Sequence, residues 1–432
     1  MNATDSASKR VTIISSDCHA GGLPGMYDEY MPKEFHEAST QWWLTYVKEM
    51  IARTGTFFDQ EAVEDYTAMA GGDAGRLELF TNPQRLAGAS DEELLAVLSD
   101  ETSPFSPRRG EFDAAVRLKE LEEDGIAGEV IFPQMAPFGA GLMQYRHDVK
   151  PEQNQAGIRA YNRWLADLCQ VNPGRHAGVM LINVDDIEAT VQEIKEARAL
   201  GLFGGVLLPT STGEHPFYHH PRYEPIWQIC EDLELPLQSH SGWSPDYGDL
   251  PSATAMYISE VDMWAQRPFT ALLWAGVFER YPKLAYVLTE TGTAWIVEKL
   301  RVLEFKADNP LFAHFTKELS LRPTEYFQRQ CYIGASFMPA HEGKMRYEVG
   351  VDKLMWGSDY PHIEGTWPNT MDSLQDTFSD YPEDEIRSIL GAKAAEVYNF
   401  DVDKVNQMGE RIGPTLGEIR GIEKRSPSLP PE

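Results

Sequence analysis

The chain has 432 residues, 42% hydrophobic and 11% aromatic, enough for a sizeable core, and no apolar run approaches the ~20 residues a membrane span needs. Its 38 basic and 67 acidic residues leave a net charge of -29, which repels polyanions and argues against nucleic acid as a partner. Cys18, Cys169, Cys230 and Cys331 lie far apart with no Cys-x-x-Cys pair, which excludes a zinc ribbon and argues against a disulfide framework; the polar start Met1 to Arg10 has no signal-peptide core, so a cytoplasmic protein is expected.

The first predicted element is the β-branched run Val11 to Ser16, which ends in Asp17-Cys18-His19. Side chains alternate along a strand, so Asp17 and His19 share one face and Cys18 takes the other. A long segment, about 20–111, follows with helical stretches and no second convincing strand. Its aromatic groups Trp42-Trp43, Tyr46 and Phe57-Phe58 either line a substrate pocket or form the core of an insertion. From Phe112 a regular alternation begins. The helix Asp113 to Asp124 leads through Gly125 into the strand Gly128 to Pro133. The helix Glu152 to Val171 leads into Gly178 to Ile182, and the acidic helix Asp185 to Leu200 into Gly204 to Pro209.

The beat continues with the helix Pro221 to Leu233 and the strand Leu235 to His240, then the helix Met263 to Tyr281 and the strand Leu284 to Glu290. The helix Thr293 to Phe305 and a looser stretch precede the strand Gln330 to Gly334. A short helix near Glu342 to Val349 precedes the strand Lys353 to Asp359, and helices Asp372 to Phe378 and Pro382 to Tyr398 complete the pattern. Eight strands separated by helices require parallel pairing with right-handed crossovers, and eight close most naturally into a (β/α)8 TIM barrel with a long, mostly helical insertion after the first strand. The expected organisation is a flexible stretch 1–10, a metal-dependent barrel domain 11–401 with its insertion at about 20–111, and a C-terminal tail 402–432, mobile or packed against a neighbouring subunit.

On a parallel barrel the chemistry sits at the C-terminal strand ends. There the sequence places Asp17 and His19 on the first strand, His240 on the fifth, Glu290 on the sixth and Asp359 on the eighth. A lone Asp-x-His more often caps a turn, and a lone His is more often a satisfied core residue. Five carboxylates and imidazoles on one rim need a counter-charge, which a divalent cation supplies.

The Asp17-Cys18-His19 opening, the segments Leu235 to Gly242 and Leu288 to Trp295, the string Trp356-Gly357-Ser358-Asp359-Tyr360-Pro361-His362 and the closing helix Ile389 to Phe400 resemble the amidohydrolase superfamily. The likeness is to the branch of aminocarboxymuconate semialdehyde decarboxylase and covers most of Val11 to Asp401. It implies a divalent ion (Zn, Mn or Fe) held by Asp17, His19, His240 and Asp359, a small-molecule substrate and a homodimer. Two departures stand out. The first ligand is the hard oxygen donor Asp17, which tilts preference from zinc toward manganese or iron. At the end of the sixth strand, where many members carry a catalytic His, this chain has Glu290.

The leading expectation is a metal-dependent hydrolase or nonoxidative decarboxylase acting on a small, carboxylated organic substrate. Asp359 serves as ligand and proton shuttle, Glu290 as a second acid or base, and His362 as orienter or extra ligand, unless it merely fixes the Tyr360-Pro361 turn. The alternative counts Asp17, His19, His240, Glu290, Asp359 and His362 as ligands of two irons, a dinuclear non-haem oxygenase hydroxylating a hydrophobic substrate. A third possibility is a barrel that keeps ligands without activity. Trp243 and Trp367 are the expected substrate-pocket walls, although both are also ordinary core residues.

Overall fold

A computed structural model of the chain describes residues 10–54, 86, 88–100, 108–140, 149–248, 250–362 and 364–424. Two parallel sheets organise these residues. β1 (Ile13–Ala20), β2 (Ile126–Pro133) and β3 (His176–Gly178) form one. The other holds β4 (Met180–Leu181), β5 (Val206–Leu207), β6 (Leu237–His240), β7 (Tyr286–Thr289), β8 (Cys331–Ser336) and β9 (Leu354–Gly357) in chain order.

The third predicted strand is the one that differs, because its chain changes partner in mid-course. Val179 donates its N–H back to Ile131 O of β2 at 2.9 Å, while Met180 donates to Gly205 O at 2.9 Å, and the strand divides into β3 and β4. At the other extreme, Asp359 N donates to Asp17 O (2.9 Å) and His19 N to Tyr360 O (2.6 Å), so the residues after β9 are bonded to β1.

Helices join the strands where local chemistry starts and stops them. Asp113 caps Ala114–Asp124 by accepting from Ala115 N and Val116 N at 3.0 and 3.1 Å, and Gly125 at φ 89° ends it in the left-handed region. Asp186 does the same for Ile187–Ala199. Strands covered by helices on one face and by the sheet interior on the other are buried along their whole length, and every residue of β1 and β2 is buried. The long Pro151–Gln170 helix packs Ile158, Tyr161, Leu165 and Leu168 into the same core.

Within the stretch expected as an insertion, the described residues hold the helices His36–Thr54 and Asp91–Ser99. Leu44, Val47, Leu86, Leu94 and Leu98 form a small separate core there, and Phe57 and Phe58 fall outside the described residues. The described part of the expected C-terminal tail is folded rather than loose. Val402–Ile412 is a helix whose Val405, Gly409 and Ile412, spaced by four and three, form a buried stripe. Beyond it Val11 N donates to Pro414 O at 2.7 Å, and Arg10 bridges Thr415 in antiparallel fashion. So few apolar residues in a charged segment gave the sequence pattern little to show.

Candidate metal centre

β1 carries Asp17 and His19 past an irregularity in its pairing. Ser15 lies opposite Glu129 and Cys18 opposite Ile131, so three steps on β1 match two on β2 and one residue bulges. Bulges of this kind re-aim side chains beside active sites. Asp17 and His19 nevertheless meet: Asp17 Oδ1 lies 3.5 Å from His19 Nε2 and 3.3 Å from His240 Nε2, the latter from the end of β6. Cys18 turns to Ser15 Oγ (3.3 Å) and Ser358 Oγ (3.5 Å), away from this group. Asp359, just past β9, puts Oδ1 3.2 Å from His19 Nε2 and 2.9 Å from His362 Nδ1. Glu290, just past β7, puts Oε2 3.3 Å from His240 Nδ1 and accepts from Ser241 Oγ at 2.6 Å.

The six side chains singled out as ligands are thus brought together in overlapping groups. Donor atoms of Asp17, His19, His240 and Glu290 lie within 4.8 Å of one another, as do those of His19, Asp359 and His362. Asp359 and Glu290 both sit at positive φ, 58° and 53°, a region non-glycine residues rarely adopt. Such strain persists where the surroundings over-determine it, commonly at sites of function.

Electrostatics point to missing positive charge. Asp359 is fully buried, its Oδ2 has no hydrogen-bond partner, and its Oδ1 meets only the ring nitrogens of His19 and His362. Nδ1 of the buried His19 is likewise unpartnered, while its Nε2 faces Asp17 and Asp359. Burial acts to lower the His240 pKa, but Asp17 and Glu290 outweigh it and raise the value to about 9. Burial pushes Glu290 up to about 7, with Asp359 and Asp17 adding to the rise and His240 opposing it. Buried carboxylates without cationic partners are costly. A mixed set of carboxylate oxygens and imidazole nitrogens fits a divalent ion of the manganese, iron or zinc kind.

Several partners escape a strand-end search. Ser336 at the end of β8 donates to Asp17 Oδ2, and Gln134 Oε1 lies 2.6 Å from His362 Nε2. Glu364 joins Glu290, Asp359 and His362 in a third donor group. Its nearness to His362 in sequence was the one available signal. Trp243, three residues past His240, meets Trp264 edge-on at 5.5 Å. Trp367 packs edge-on against Tyr360 at 5.8 Å beneath the Arg108 guanidinium. Trp42 and Trp43, with Tyr27, Met135 and Pro137, line a small cavity of about 20 Å³, and Trp42 stacks on Tyr46 at 5.6 Å. That cavity adjoins the residue after Gln134, the side chain that holds His362.

Residues 108–400 match the amidohydrolase family. Gamma-resorcylate decarboxylase from Rhizobium sp. (strain MTP-10005) is 23% identical over 272 residues, which span 57% of this chain and 76% of that relative. The crystal structure of an amidohydrolase from Mycobacterium avium subsp. paratuberculosis K-10 superposes with a TM-score of 0.63 at 20% identity, covering 90% of this chain and 99% of that one. A dihydroxybenzoic acid decarboxylase from Polaromonas sp. JS666, solved with bound manganese and the inhibitor 2-nitroresorcinol, superposes with a TM-score of 0.53 at 18% identity, covering 73% and 92%. At these identities the two structures share a fold with this chain.

Proposed function

The chain belongs to the amidohydrolase family, and we propose that it is a metal-dependent lyase removing the carboxylate of a small aromatic acid without oxidation. The reading takes the two parallel sheets as one closed (β/α)8 barrel, with the donor side chains at its C-terminal rim and the stretch 20–111 inserted over them. Asp17, His19, His240 and Asp359 would hold the ion. The manganese of the Polaromonas relative and the hard Asp17 oxygen favour manganese. When bound, the ion supplies a Lewis acid that polarises the oxygens of the substrate.

The remaining work falls to this chain's own groups. As the bond between ring carbon and carboxylate breaks and carbon dioxide leaves, the electron pair left on carbon needs a proton. Glu290, held by Ser241 and facing His240, is the group placed to return it. His362, held between Asp359 and Gln134, keeps the Asp359 carboxylate turned toward His19. Trp243, three residues past His240, would pack on the apolar body of the substrate. Trp367 already spends its faces on Tyr360 and Arg108 and is the weaker candidate for such contact.

The observation that carries this reading is the fully buried Asp359 carboxylate, whose Oδ2 has no hydrogen-bond partner and whose Oδ1 meets only the rings of His19 and His362. The test is carbon dioxide release from dihydroxybenzoic and carboxylated phenolic acids by Mn²⁺-loaded protein. Turnover should vanish on chelation, return with Mn²⁺, and fall by at least about 10²-fold in Asp359→Asn. No release from any acid of the panel by protein carrying one Mn²⁺ per chain would reject the decarboxylase. One observation favours a second ion: Glu290 belongs to two donor groups, one with Asp17, His19 and His240, the other with Asp359, His362 and Glu364. A pair of ions sharing Glu290 is the form a dinuclear iron oxygenase acting on a hydrophobic substrate would take, and two metals per chain in protein as isolated would favour it.

A further inference from the structure

A metal-binding histidine is ordinarily aimed by the hydrogen bond its second ring nitrogen makes to a carboxylate or carbonyl. His19 has no such bond: its Nε2 faces Asp17 and Asp359, and its Nδ1 has no partner. Its aim must come from its main chain and from the rings packed on it, His362 stacked at 4.0 Å, His240 edge-on at 4.9 Å and Phe132 at 6.2 Å. That main chain is held at both ends. Its N–H donates to Tyr360 O at 2.6 Å, and its carbonyl accepts from Arg117 Nη1 at 2.7 Å.

Arg117 lies outside the donor cluster, on the helix Ala114–Asp124, and is wholly buried. Glu129 of β2 fixes it in a fork: Nε to Oε1 at 2.7 Å and Nη2 to Oε2 at 2.6 Å. His176 of β3 backs Glu129, with Nδ1 2.8 Å from Oε1. The same guanidinium donates to Gly110 O at 3.0 Å and lies 5.0 Å from the centre of the Tyr360 ring. One buried cation therefore touches the main chain of His19 and the side chain of the residue that follows Asp359. A planar fork with five donors can do this, and an ammonium cannot.

We propose that Arg117 is a positioning residue for the metal centre: locked by Glu129, it sets the direction of the His19 ring and its distance from Asp359 through the His19 carbonyl and the Tyr360 ring. The proposal rests on the metal reading above. It assigns to a buried ion pair, which by itself is weak evidence for stability, a task in metal affinity.

The test is Mn²⁺ titration by calorimetry and chelator competition on wild type, Arg117→Lys and Glu129→Gln, with metal-free melting temperatures measured alongside. Arg346→Lys, which alters the distant Arg346–Glu385 pair, is the control. Arg117→Lys should weaken Mn²⁺ binding about 10–100-fold, the range typical of residues that support metal ligands. Glu129→Gln should weaken it in the same direction, and Arg346→Lys should change melting temperature without changing affinity. Manganese resonance spectra of the Arg117 variant should show weakened coupling to imidazole nitrogen. If Arg117→Lys binds Mn²⁺ as tightly as wild type, the positioning role is wrong whatever its melting temperature. Should Arg117→Lys fail to fold, unaltered affinity in Glu129→Gln overturns the proposal equally. Wild type that takes up no Mn²⁺ sinks the metal reading and this inference together, whereas wild-type binding with unaltered variants sinks this one alone.

Discussion

Glu290 is the residue at which burial, strain and charge meet, and its ionisation can be read without substrate. Burial raises its pKa to about 7 from 4.5, so in the metal-free fold the protonated form is favoured. The unfolded chain releases that proton nearer 4.5, and stability must therefore fall as pH rises from the unfolded value through about 7. Metal-free wild type should lose more melting temperature between pH 5.5 and 7.5 than Glu290→Gln does. Equal losses would show that Glu290 is not held protonated. With Mn²⁺ bound, the same variant should keep its metal while turnover falls roughly 10²–10⁴-fold. At this scale the sequence exposed what strand-end spacing can expose, namely Asp17, His19, His240, Glu290 and Asp359. It could not expose Ser336, Ser241 or Gln134, because serine and glutamine occur everywhere and only the pairing of distant strands brings them to the ligands.

Among the elements, β1 and β9 are the pair on which the ligand geometry depends. Gly357 of β9 lies so near β1 that a Cβ there would stand 2.6 Å from Asp17 Cβ and 3.0 Å from Asp17 N. Gly357→Ala must push the strands apart, at a cost of about 1–3 kcal/mol for a well-packed core. Because the displaced residue is itself a donor, Mn²⁺ affinity should fall along with melting temperature. A variant with reduced stability and wild-type affinity would show that Asp17 is not a ligand. The strands with long apolar runs were legible from their pattern, and so were helices begun by Asp113 and Asp186 and stopped by Gly125. Two features were not. The break at Val179 arises from a change of pairing partner that no local sequence signal records, and only Val206–Leu207 of the expected run Gly204 to Pro209 forms the strand.

For the whole molecule, the cluster behaves as a charge deficit within an already acidic chain of net charge -29. A cation that binds the folded form alone stabilises it by roughly 2.7 kcal/mol at one hundred times its dissociation constant. Chelation should therefore lower the melting temperature by several degrees and Mn²⁺ restore it. Unchanged melting on addition of Mn²⁺, Fe²⁺ and Zn²⁺ in turn would contradict a metal centre. Among the described residues no helix is long and apolar enough to cross a membrane.

The seam joining Val11 to Pro414 and Asp17 to Asp359 also sets an order in time. A chain is made from its N-terminus, and domains generally complete themselves as synthesis ends. Asp17 and His19 emerge early, and β2 covers one edge of their strand, yet the main-chain bonds on its other edge come from residues translated more than three hundred positions later. Throughout that interval one edge of β1 stays open, and contacts of such long sequence separation form slowly. An ion held as proposed could therefore be taken up only after translation has passed Tyr360, and Asp17 and His19 depend for their shelter on that distant segment.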